Sequence, residues 1–303
     1  MLPLGPEYVG AIREALTMFH DRASSLIQEH GSLPKAGSQA LTEEATYSRP
    51  DSIVSACEIG NQLIEYGGEH VTAFVKLITE PVEAIACWTC VRSMLEACAL
   101  ASWVADPSID ARTRVSRVFA LSYEGMEQQL TFGRAAKRPE SDLKSLEDRI
   151  DQVEKDALAL GFSQVQNKNG KRIGIAQRMP STTEMIKMML DEEEAYRMLS
   201  AVAHGHTWAI RQLGFKAVGD STGLSIGGVS VKRYEKSANL RGFAFLGIRT
   251  AKAFAAPLWN VCRYFGWDAL RFEELFEDVF DKLQAKPETR FWRDYSIPPI
   301  VGT

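Results

Sequence analysis

The residues with most capacity for chemistry lie in one run, Tyr196-Arg-Met-Leu-Ser-Ala-Val-Ala-His204-Gly-His206. At helical spacing, Arg197, Ser200, His204, Trp208 and Arg211 fall on one stripe, while Leu199, Val202, Ala209 and Leu213 fall opposite. A guanidinium offers a planar fork to phosphate oxygens, and an imidazole moves protons near neutral pH. The stripe therefore suits an anionic ligand such as a phosphate. Its alternative use is a polar face whose residues pair with neighbouring helices. His206 falls in the apolar arc and reads as a core histidine. On an unbroken helix it faces away from His204, so the two do not share a metal ion.

A second constellation is Arg92 with Glu96, spaced i,i+4 among Val91, Met94, Leu95 and Cys98. Charges on so apolar a helix are costly unless paired, which predicts a structural or supporting ion pair. Arg114, Arg117 and Glu124 on the following helix are further candidates for that polar core. Cys87-Trp-Thr-Cys90 has the spacing of a redox or zinc pair. It lacks a preceding strand and a second Cys/His pair, so both thiols read as small buried hydrophobes.

The elements that must position these residues are helical almost throughout. Helices are predicted over about 6–31, 51–67, 69–79, 81–106, 107–138, 140–160, 181–190, 192–213, 237–265 and 267–285. Gly67-Gly68 is read as a stop, 31–50 as a Gly/Ser/Pro loop, and 161–180 as a loop turning at Asn169-Gly170. The Gly-rich, β-branched run 215–234 predicts a small β-hairpin or ordered loop inserted between helices. The tail holding Trp292 and Pro298-Pro299 reads as irregular. The expected fold is all-α, a bundle of about nine helices in one domain spanning 1–303. Within it, 1–80 forms an N-terminal extension, 81–213 the central bundle, and 214–303 the β insertion with the last helices.

Composition fits an ordinary globular chain: 303 residues, 45% hydrophobic, net charge −4. Such a balance excludes a cationic scaffold that coats nucleic acid. It also hides unevenness. Residues 162–178 carry Lys168, Lys171, Arg172 and Arg178 with no acid, and 230–252 carry six cations against Glu235 alone. Residues 266–285 are acidic in turn. If the basic runs flank the Arg197–His204 helix in space, they funnel a polyanion toward it; otherwise they are solvated loops. No phosphate-cradling Gly loop is present, since Gly223–Gly228 lacks the Lys-Ser/Thr that must follow. Five cysteines, an odd and small number, and the lack of a signal-like N-terminus lead to an expectation of the cytoplasm, without a membrane span.

Arg197 and His204, on a helix of an all-α chain, resemble the R-x(4–6)-H signature of HEPN domains. The longer string Tyr196-Arg197-x-Leu199-Ser200-x-x-x-His204, with Arg92-Ser-x-x-Glu96 upstream, also resembles an uncharacterised HEPN-like family of bacterial proteins. The likeness covers about 81–213. It implies a bundle that often dimerises, and metal-independent RNA cleavage at a composite site facing the dimer interface, in bacterial defence or stress systems. In that scheme Arg197 holds the scissile phosphate, His204 is the general acid/base and Ser200 supports it. Tyr196, Trp208 and Arg211 contact substrate. Met198 stands where active members place a polar residue after the Arg, which leaves a non-catalytic RNA- or nucleotide-binding or protein-interaction relative as the alternative. The expected partners are RNA and a second copy of the chain. No cofactor, metal, membrane or DNA partner is expected.

Overall fold

The computed structural model describes residues 6–218, 225–226, 229–230 and 233–284. Among them the chain is all-α: eleven helices with three two-stranded antiparallel sheets. The helices are α1 (Pro6–Glu29), α2 (Gln39–Thr46), α3 (Pro50–Leu77), α4 (Ala86–Val104), α5 (Ala111–Ala135), α6 (Glu140–Ala159), α7 (Thr182–Leu190), α8 (Glu193–Ala203), α9 (Thr207–Gly214), α10 (Leu240–Phe265) and α11 (Ala269–Gln284). The strands pair as β1 (Gln164–Gln166) with β2 (Arg172–Ile175), β3 (Phe215–Val218) with β6 (Arg233–Lys236), and β4 (Ser225–Ile226) with β5 (Val229–Ser230).

Local sequence explains most ends. Asp110 opens α5 by accepting the Thr113 N–H at 2.7 Å, and Ser181 and Glu184 close a reciprocal capping box on α7. Gly266, left-handed at φ 69°, ends α10. Three expectations fail. The 31–50 loop contains α2, which Ser38 caps through its hydroxyl. Residues 161–180 form the β1–β2 hairpin around the Asn169-Gly170 turn. Gly67-Gly68 does not stop a helix: α3 runs straight through, because both glycines make room for side chains from other helices. A Cβ at Gly67 would lie 3.1 Å from Cys98 Sγ, and one at Gly68 would lie 3.2 Å from His20 Nε2. The insertion near 215–234 does hold a hairpin, with Ala217 facing Tyr234 and Val218 facing Arg233. The tail with Trp292 and Pro298-Pro299 lies outside the described residues.

Helix α4 is the axis of the bundle. Twelve of its residues are buried, and it packs on α3, α10, α7 and α8. The main core runs from Val9 on α1 to Val279 on α11, so the first helices and the last share one apolar interior. A satellite core of Val115, Phe119, Leu130, Ile150 and Ile175 sits between α5, α6 and β2. One charged knot is sealed into this packing. Arg114, with no exposed surface, donates Nε to Glu43 at 2.9 Å and its other N–H groups to the Val104 and Asp106 carbonyls. Tyr264 donates its hydroxyl to the same Glu43 carboxylate at 2.8 Å and lies under the guanidinium. The knot ties α2, α5 and α10 together with every charge paired. Among the described residues, no helix is long and apolar enough to cross a membrane.

Candidate functional site

The run that carries Arg197 and His204 is not one helix. α8 ends at His204, and Gly205 adopts a left-handed conformation at φ 72°. The Gly205 N–H bonds to the Val202 carbonyl at 3.0 Å, and the His206 N–H bonds to the Ala201 carbonyl at 2.9 Å. That paired closure is the Schellman stop, which glycine favours because a Cβ is strained at this φ. His206 then becomes the N-cap of α9, with no side-chain bond to the helix. The Ala-His-Gly-His string carried this signal, and the helical period on both sides masked it.

The break corrects two expectations. His206 is not a core histidine: it is exposed, as is His204. Nor do the two face opposite ways, since their rings meet nearly edge to face with centroids 6.5 Å apart. The single stripe is likewise divided. Arg197 and Ser200 stay on α8, while Trp208 and Arg211 belong to α9 and take their direction from it. Among the described residues, no cluster of three His, Cys, Asp or Glu is placed to hold a metal ion.

Arg197 is exposed and donates both Nε and Nη2 to Glu193 one turn earlier, at 3.0 and 2.8 Å. Glu193 also takes Lys187 from α7 at 2.9 Å, and these two cations hold its carboxyl below the usual glutamate range. An exposed pair of this kind contributes about 0–1 kcal/mol, so the guanidinium can turn to another anion at small cost. Ser200 is half-buried, and its carbonyl accepts the His204 N–H at 2.9 Å.

On α9, Trp208 remains 47% exposed, an unusual position for an indole. Arg211, three residues on and so on the same face, lies over the ring of Tyr234 at 5.6 Å from its centroid. Tyr234 is 43% exposed on strand β6, whose residues all face solvent. A guanidinium thus rests on one open aromatic ring, with a second, Trp208, one turn earlier on the same helix. Tyr234 belongs to the insertion and is not among the residues the sequence points to; its pairing opposite Ala217 brings it to α9.

The Arg92–Glu96 pair forms as expected, at 2.7 Å. It draws in Tyr196, which was expected to contact substrate. Tyr196 is buried to 6% exposure; its hydroxyl donates to Glu96 at 2.8 Å and accepts from Arg92 at 3.3 Å. Burial, then the Glu96 bond, raises the phenol above its ordinary range. This cluster locks α8 to α4 and so aims the exposed face of α8 outward. Arg117 is likewise spent internally, on Asp106 at 3.4 Å and on the Trp103 carbonyl. Glu124 accepts from Gln128 on its own helix, away from the Arg92 pair.

All five cysteines are free. Cys87 is sealed in the core with its thiol pushed up to about 12 by burial. Cys90 is half-buried rather than fully so: its thiol donates to the His70 carbonyl at 3.3 Å, lies 3.5 Å from His70 Nδ1, and is pushed up to about 11. The basic runs are largely spent in pairs. Arg172 meets Glu154, Lys236 meets Glu83 at 3.0 Å, and Arg249 meets the buried Glu192 at 2.6 Å. Among the described residues, these pairs take up much of the local surplus of charge along those segments. Compared with family models, with curated proteins and with solved structures, the chain matches none.

Proposed function

We propose that the chain binds single-stranded RNA on the surface made by α9 and strand β6, and cleaves it at the adjacent α8–α9 corner in the HEPN manner. The observation that carries this reading is Arg211 resting on Tyr234 beside the open Trp208. Exposed rings offer stacking platforms to unpaired bases, and the guanidinium resting on Tyr234 offers a fork to a neighbouring phosphate. Leaving such rings open to water brings no benefit to the fold itself. His204 supplies the proton transfer, and Arg197, loosely held by Glu193, turns to the scissile phosphate. Five unpaired thiols support a reducing, cytoplasmic setting. The resemblance adds a second copy as partner and a role in bacterial defence or stress.

A second reading, RNA binding without cleavage, is favoured by one specific feature: Arg197 is bound to Glu193 and not to His204. Two measurements separate the readings. Fluorescence anisotropy with a labelled oligoribonucleotide should give binding that weakens with salt. Trp208→Ala and Arg211→Ala should each weaken it roughly five- to hundredfold. Incubation with total RNA should give products that His204→Ala and Arg197→Ala do not. Binding that neither α9 variant alters sinks the platform; binding without products leaves the binding-only reading.

A further inference from the structure

We infer that His204 and His206 are a general acid–base pair housed in one copy of the chain, so that RNA is cut without residues from a second copy. The inference rests on the RNA-cleaving reading above and departs from the composite site that the resemblance implies. It starts from the Gly205 stop. Two backbone hydrogen bonds fix the turn, and the histidines on either side of Gly205 are held on one exposed corner. Their centroids are 6.5 Å apart and their planes differ by 71°. At that separation the ring nitrogens do not bond to one another. Each still reaches an oxygen of one tetrahedral phosphate set between them, given a hydrogen-bond reach of about 2.6–3.2 Å on either side.

Cleavage by 2′-hydroxyl attack needs two proton movements at that spacing. One neutral imidazole takes the 2′-hydroxyl proton as the 2′-oxygen bonds to phosphorus. The bond from phosphorus to the 5′-oxygen breaks, and the other ring, entering as imidazolium, gives that oxygen its proton. The products are a 2′,3′-cyclic phosphate and a free 5′-hydroxyl. No electron leaves the system, and the two rings exchange protonation states, which solvent resets. A lone His204 would have to perform both transfers from one side of the phosphorus, where attacking and leaving oxygens lie roughly in line on opposite sides. Two rings at this spacing, one on each side of the phosphate, serve that geometry without one ring having to reach both oxygens.

Single variants, and a mixture of them, decide the matter. Both rings are exposed, so His204→Ala and His206→Ala leave the core intact. Each should lower the rate of cleaving a labelled oligoribonucleotide by about 10²- to 10⁴-fold, the usual worth of a positioned acid or base, while anisotropy shows the RNA still bound. An equimolar mixture of the two variants should stay as inactive as either alone. Restored cleavage in the mixture would mean that one histidine comes from each of two copies, and the one-copy pair would be wrong. Full activity in His206→Ala would also overturn it, leaving His204 cleavage standing. A wild-type chain that binds but never cuts removes the cleaving reading itself, and this pair with it.

Discussion

Glu192 is the residue whose burial has the clearest cost. It is 3% exposed at the start of α8, with Arg249 donating to it at 2.6 Å. Burial raises its carboxyl above the ordinary glutamate range; Arg249 and then Lys252 pull it back, and Asp191 adds a smaller push upward. The sign of the resulting pH effect follows. The folded chain holds this proton more tightly than the unfolded chain, so ionising it costs stability. As pH rises from the ordinary glutamate value through the raised folded value, wild type should lose stability relative to Glu192→Gln. Urea unfolding of both chains at steps between mildly acidic and neutral pH measures this. A difference that stays flat, or one that grows in favour of wild type, counts against it. Nothing in the sequence around Glu192 announces that role, since it stands in an acidic run whose other members stay wet. Its partner, Arg249, comes from α10, 57 residues along the chain, which no local pattern foretells.

At the scale of elements, close helix approach is set by glycines, and one substitution made in two places should have opposite results. A Cβ at Gly242 on α10 would sit 2.6 Å from the Trp88 ring, which is buried and pinned by its N–H bond to the Ala84 carbonyl at 3.1 Å. Gly242→Ala should therefore destabilise by about 1–3 kcal/mol as an overpacked site. Gly125, exposed within α5, has open space around its Cβ position. There Gly125→Ala should stabilise by about 0.4–1 kcal/mol through lost unfolded-chain entropy. Thermal unfolding midpoints that move the same way would refute the contrast. The same glycines explain what was legible in the chain. The long amphipathic helices α1, α6, α10 and α11 stand out by period alone, because one face of each is apolar over several turns. The Arg92–Glu96 pair was legible too, since burial forces charges to pair. Gly67-Gly68 misled because a glycine that admits a neighbour looks like one that ends a helix. Gly205 misled in the reverse sense, and with it went the placement of His206, Trp208 and Arg211. Tyr234 was out of reach, because its site depends on a cross-strand pairing rather than on any local period.

The whole molecule is held by ties between segments far apart in sequence. α11 is fixed to α1 by Arg271 on Glu29 at 2.6 Å and by Lys282 on Glu14 at 3.1 Å, while the Arg114 knot joins α2, α5 and α10. Such a frame leaves the α8–α9 corner and the β3–β6 ribbon as its outermost chemistry. It also has a consequence for how that corner can be watched. Burial pushes Cys57, Cys87 and Cys262 up to about 12, Cys90 to about 11 and Cys98 higher still, so at neutral pH the folded chain presents almost no thiolate. Ellman's reagent should report slow release from the native protein, with the half-buried Cys57 and Cys90 ahead of the other three; prompt release of even one equivalent would contradict the raised thiols. A Thr207→Cys chain, exposed at the start of α9, should then take a single maleimide dye at the corner with every native cysteine left in place. The protein comes with a silent background, ready for a fluorescent reporter where nucleic acid is proposed to land.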